Sequence, residues 1–178
     1  MRVIGGEHRS RRLKSLPGEK TRPTPDRLRE TLFDILALRI EGVVFLDAYA
    51  GTGAVGIEAL SRGAREAIFI EKSHLAADVI RENLKALGLE TRARVVCGKT
   101  ISVLARSAAD IVFLDPPYEL ENEYGEALAL MGANPPELVI AQHDVRQKLN
   151  DQYGRLRRTR EVRQGDNVLS FYAEEVEE

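Results

Sequence analysis

Asp115, Pro116, Pro117 and Tyr118 follow directly on the short apolar run Ile111–Leu114. Such a run reads as a buried strand, and two successive prolines cannot prolong a hydrogen-bonded ladder. A carboxylate, a rigid carbonyl and an aromatic ring are therefore held stiffly just past the end of a core strand. That combination suits chemistry on the exocyclic amine of a nucleobase. The amine is a weak nucleophile because its lone pair is delocalised into the ring. Acceptors for its two N–H groups, here the Asp115 carboxylate and the Pro116 carbonyl, would hold the lone pair toward an electrophile. Tyr118 would offer a face on which a flipped-out base can stack, and alignment of the two reactants would supply much of the rate. Asp115, Pro116, Pro117 and Tyr118 are accordingly the candidate catalytic residues.

A second constellation lies earlier in the chain. Asp47 ends the apolar run "VVFLD", and Gly51, Gly53 and Gly56 satisfy the spacing G-x-G-x-x-G. This loop fits several nucleoside ligands, and the spacing alone does not choose between them. Asp47 does. A dinucleotide would bring a doubly charged pyrophosphate to this place, against an extra carboxylate. S-adenosylmethionine (SAM) carries a sulfonium and an ammonium, which a carboxylate attracts, while its own carboxylate can use a helix N-terminus. The acid-x-x-x-Gly-x-Gly pattern therefore favours SAM over NAD. Glu71, at the end of "AIFIE", stands where an acid can accept hydrogen bonds from ribose hydroxyls. Tyr49 in the loop and Lys72 beside Glu71 complete the set expected to contact cofactor.

The elements that must position these groups follow from periodicity. Leu28, Leu32, Phe33, Ile35 and Leu36 recur at helical spacing behind a Thr24 N-cap and a Pro25 at the first helical position. After Gly42, strands "VVFLD", "AIFIE", "ARVVC", "IVFL" and "ELVIAQ" alternate with helices, including one over 74–87. Alternation of this kind predicts an α/β fold with a mostly parallel, doubly wound, Rossmann-like sheet and helices on both faces. Two strand-like runs flanking Gly165-Asp166 predict a C-terminal antiparallel hairpin. The first and fourth strands should be neighbours at the topological switch point, bringing Asp115 next to Asp47.

The 178 residues predict a basic N-terminal arm or hairpin over residues 1–20 and one catalytic domain over 21–178. Residues 1–30 hold nine Lys/Arg against four Asp/Glu, although the whole chain carries a net charge of −2. Arg2, Arg9, Arg11, Arg12, Lys14 and Arg22 are the candidate RNA-binding residues, because a basic arm on an acidic body suits a polyanion. The alternative is an ordinary solvated segment. The arm has few large apolar residues and is expected to add little to the core. Cys97, the single cysteine, reads as a small buried residue without a neighbouring base, in a reducing, cytoplasmic setting. No metal spacing, signal-type leader or membrane-length apolar run is present in the sequence, so a monomer without metal or membrane association is expected.

Taken together, "DAYAGTGAVGIEALSRGA", "FIEK", "FLDPPY", "TRPTPDRLRETLFDIL" and "RVIGGEHRSRRL" resemble the RsmD-type methyltransferases of bacteria, over nearly the whole chain. The resemblance implies a class I SAM-dependent fold that methylates the N2 amine of a guanine in small-subunit (16S) ribosomal RNA, free or in an assembling particle. It also implies that Thr21, Arg22 and Thr24 lie near the methionine end of SAM or the RNA entrance. The sequence departs from the family pattern at Lys99, where an acceptor for the adenine amine is expected, and at Gln142, where a glutamate is expected before His143. Neither Gln142 nor His143 is given a role. Other readings are an adenine-N6 methyltransferase on DNA or RNA, a non-catalytic RNA-binding assembly factor, and a NAD oxidoreductase. Asp47 and the proline pair oppose the last.

Overall fold

The computed structural model describes residues 1–18 and 25–176. Its centre is an eight-stranded sheet in the order β3-β2-β1-β4-β5-β8-β7-β6. The strands are β1 (Val44–Asp47), β2 (Glu66–Glu71), β3 (Ala93–Cys97), β4 (Ile111–Leu114), β5 (Leu138–Asp144), β6 (Gln152–Tyr153), β7 (Leu156–Gln164) and β8 (Asn167–Glu174). The first five are parallel, and β8, β7 and β6 add antiparallel at one edge. Helices α1 (Asp26–Ile35), α2 (Ala54–Ser61), α3 (His74–Leu87), α4 (Thr100–Leu104) and α5 (Glu123–Ala133) cover the faces. The alternating pattern thus gives the doubly wound sheet and hairpin that it predicts, and β1 does pair with β4.

Alternation along the strands sorts the core into two layers. Phe45, Phe69, Ile111, Phe113, Leu138 and Ile140 face α1, α2 and α3. Leu46, Ile68, Val112, Leu114, Val139 and Ala141 face α4 and α5. Pro25 stands one position earlier than expected. Its ψ of 136° is extended, so it precedes the helix, and its carbonyl accepts from Leu28 and Arg29 N–H. Thr24, the expected cap, lies outside the described residues.

The N-terminal segment forms a tight antiparallel loop closed by a bridge between Arg2 and Arg12, and it is more integral than its composition suggests. Val3 and Leu13 are buried in the layer beneath α2 and α3, which corrects the expectation that the arm adds little core. The reason is Glu58 on α2, which is fully buried. Its carboxylate accepts from Ile4 N–H at 2.9 Å and Gly5 N–H at 2.8 Å, and pairs with Arg62 at 2.9 Å. Asn83 on α3 receives Lys14 N–H at 2.7 Å and donates to the Lys14 carbonyl. A buried carboxylate needs such donors, so arm and body fold together. Glu58→Ala should lower the free energy of unfolding by about 3 kcal/mol, because it strips two amides and Arg62 of their acceptor; chemical denaturation measures this.

Candidate functional site

The same alternation that buries Phe45, Phe69 and Phe113 aims the residues two positions further on at the same face. Asp47, Glu71 and Asp115 therefore form a row at the carboxyl ends of β1, β2 and β4, where an open parallel sheet receives its ligand. Register confirms the adjacency, since Asp47 sits beside Phe69 on one side and Phe113 on the other.

Two of these acids shape the glycine loop. Asp47, only 2 % exposed, accepts Gly56 N–H at 3.1 Å through Oδ2, satisfying one of the orphan donors of the first turn of α2. Glu71 accepts Gly51 N–H at 2.8 Å and Ser73 N–H at 3.0 Å, one on each oxygen. It still has lone pairs for ribose hydroxyls. Gly51 and Gly53 have φ of 56° and 85°, so the turn requires glycine. Gly56 has a different reason: a Cβ there would stand 2.3 Å from the Phe69 ring. The third glycine serves helix-to-strand packing.

The electrostatics distinguish this row. Burial pushes the Asp47 carboxyl up to about 7; the Gly56 N–H opposes this, and the charges of Asp115 and Glu71 add to it. Burial likewise raises Asp115 to about 7. Among the described residues, no lysine or arginine pairs with either. Unpaired acids held out of water attract a cation and repel a phosphate. The donor set thus fits the sulfonium and ammonium of SAM, and it does not fit a pyrophosphate.

Pro116 is buried, Pro117 is exposed, and Tyr118 is 65 % exposed, its ring open to solvent beyond Asp115. Tyr49 points elsewhere than to the loop ligand alone: its hydroxyl donates to Glu123 on α5 at 2.5 Å, tying the glycine loop to the segment after Tyr118. Lys72 is exposed, and its carbonyl accepts from the Cys97 thiol at 3.7 Å. Cys97 corrects its expectation. It is half-buried at the end of β3, and His74 Nδ1 lies 3.3 Å from its sulfur, because α3 begins beside that strand end. Lys99 is exposed. His143 is a structural residue: Nδ1 contacts the Asp144 carbonyl at 2.9 Å and Nε2 the Ser170 hydroxyl at 2.8 Å. Burial lowers its pKa.

The basic candidates divide. Arg2, Arg9, Arg11, Arg12 and Lys14 are all exposed, but Arg11 donates to the Ala86 carbonyl near the C-terminus of α3, toward the amino ends of the strands. Thr21, Arg22 and Thr24 lie outside the described residues. A second basic stretch is masked by the near-neutral total charge: residues 146–163 hold seven Lys/Arg against two Asp/Glu. The turn between β7 and β8 reaches the carboxyl end of β5, since Asp144 pairs with Asn167. Arg163 there and Arg27 on α1 line a cleft of about 410 Å³, and exposed Arg146 and Lys148 follow β5. Counting charge per surface, after pairing strands, would have found it.

A parallel sheet with this switch point and an acid row over a glycine loop defines a class I methyltransferase. Within that class the chain belongs to the RsmD-type family, whose model, described as "Conserved hypothetical protein 95", matches residues 1–173. The Ribosomal RNA small subunit methyltransferase D of Escherichia coli (strain K12) is 43 % identical over 120 residues, covering 66 % of this chain and 60 % of that protein. The solved structure of yhhF from Escherichia coli superposes with a TM-score of 0.86 at 33 % identity, covering 99 % of both chains. An RNA methyltransferase from Salinibacter ruber, solved with S-adenosyl-L-homocysteine, shares the fold at 18 % identity and a TM-score of 0.67, over 88 % of this chain and 97 % of that one.

The raised acids have a consequence for stability. An unfolded aspartate titrates near 3.9, so the fold favours protonated Asp115. That contribution is full below about pH 4 and is lost as pH rises toward 7. Asp115→Asn, which cannot ionise, should therefore raise the unfolding free energy of the ligand-free protein by roughly 2–4 kcal/mol at pH 8 relative to wild type and leave it nearly unchanged at pH 4.

Proposed function

We propose that this protein transfers the methyl group of SAM to the N2 amine of a guanine in small-subunit ribosomal RNA. The observation that carries the reading is the pair Asp47 and Asp115, one buried and one half-buried carboxylate, both raised to about 7 and neither paired with a lysine or arginine among the described residues, at the ends of neighbouring strands. The family membership, and the name of the Escherichia coli relative, support ribosomal RNA as the substrate. SAM, when bound, supplies a methyl group on a sulfonium.

The chain's own residues would do the rest. Asp47 and the glycine loop orient the cationic end, and Glu71 holds the ribose. The Asp115 carboxylate and the Pro116 carbonyl accept from the two N–H groups of the target amine. As the new N–CH₃ bond forms and the S–CH₃ bond breaks, the amine loses a proton. A carboxylate with a pKa near 7 is well matched to receive it. Tyr118 stacks on the base. Phosphate contacts fall to the exposed basic residues Arg27, Lys148 and Arg163 near the site and Arg2, Arg9 and Arg12 on the arm, while Arg146 and Lys14 would first leave their exposed pairs with Asp144 and Glu82. These contacts would position RNA without reading its sequence.

The test offers methyl-labelled SAM to ribosomal RNA, small-subunit particles and DNA, each from cells lacking the protein, with nucleoside analysis of the product. Labelled N2-methylguanosine is expected from RNA or particle. N6-methyladenosine, or label only in DNA, would replace the reading with an adenine methyltransferase. In the same assay Asp115→Ala should abolish transfer while SAM affinity stays within a few fold. Tyr118→Ala should weaken RNA capture by roughly 1–3 kcal/mol.

A further inference from the structure

Gln142 on β5 carries an anomaly. The residue is 7 % exposed, and its Oε1 is buried with no hydrogen-bond partner among the described residues. Leaving a buried amide oxygen unpaired costs free energy, so such a group invites a partner that binds later. Its place points to that partner. Leu114 of β4 pairs with Ala141 of β5, which puts Gln142 beside Asp115. Gln142 also shares the parity of Leu138 and Ile140, which face the same layer as Phe113 and α1. It therefore extends the row of Glu71, Asp47 and Asp115 by one strand, onto the base side of the site. His143, the next residue, points to the opposite face, against Tyr124.

We infer that Gln142 is a specificity-determining residue that reads the ring edge of the target base. This rests on the guanine-N2 reading above. A carboxamide presents an acceptor and a donor side by side. Next to its N2 amine, guanine presents an N1–H donor and then an O6 acceptor. With the amine held by Asp115 and Pro116, the unpaired Oε1 accepts from N1–H, and Nε2 donates to O6. The buried oxygen gains the partner it lacks. A purine without the N1–H would leave it unsatisfied, and sites built to bond a substrate group reject analogues lacking that group strongly.

The test uses substrate RNA in which the target guanine is replaced by 2-aminopurine. This base keeps the 2-amine but has an acceptor at N1 and no O6. Wild type should prefer guanine by about a hundredfold or more in kcat/KM. In Gln142→Leu that preference should fall to about tenfold or less, with SAM affinity by calorimetry within about twofold of wild type. A purely structural role would lower both substrates together and leave the ratio unchanged, which would overturn the inference. Should Gln142→Leu lose SAM binding or fail to fold, Gln142→Glu decides. Its carboxylate keeps the acceptor for N1–H and loses the donor to O6, so guanine preference should survive at a reduced rate; equal loss on both substrates would overturn the inference. If wild type forms N6-methyladenosine instead, the guanine reading itself fails. An unchanged ratio with N2-methylguanosine as product removes Gln142 alone.

Discussion

Two poorly hydrated aspartates with no lysine or arginine partner among the described residues set the terms for the whole molecule. Asp47 and Asp115 sit at the ends of adjacent parallel strands, and burial raises both to about 7. A fold that held such groups for structure alone would pair them, as this one does with Glu58, which has two amides and Arg62. The contrast separates a buried carboxylate that stabilises from the pair that we propose is open to a ligand. It also explains the glycine loop. Asp47 takes Gly56 N–H and Glu71 takes Gly51 N–H, so the acids we propose to meet the cofactor also fix the backbone of the loop beside them.

Much of this was readable from period and punctuation. The run Ile111–Leu114 ending in two prolines gave the strand and the stiff exit after it, and β4 has those bounds. The five parallel strands and the Gly165-Asp166 turn were equally plain. Strand parity also carried more than was used: Phe45 to Asp47, Phe69 to Glu71, Phe113 to Asp115 and Ile140 to Gln142 are each two residues apart, so one face of the sheet turns from apolar to polar at four strand ends.

What stayed hidden depends on partners distant in sequence. Glu58 looks like an ordinary helix-surface acid, and only the folded arm shows it as the anchor of Ile4 and Gly5. The Cys97–His74 contact spans 23 positions and needs β3 laid beside the start of α3. The basic stretch 146–163 escaped because acids elsewhere masked it in the total charge. Several of its arginines are in fact spent on ion pairs, Arg155 with Glu174 and Arg157 with Glu175, while Arg163 remains at the rim near the site. Gln142 was unreadable for a related reason, since an unpaired atom is visible only when every neighbour is in place.

The most direct measurement is the proton count on cofactor binding. SAM is titrated calorimetrically at pH 7 in buffers of differing ionisation enthalpy, and the slope of observed heat gives protons exchanged. A carboxyl near 7 in the free protein must ionise when a sulfonium and an ammonium arrive beside it, so a net release of protons to buffer is expected, and Asp47→Asn should reduce it. Binding of SAM with no release, or with proton uptake, would contradict the account.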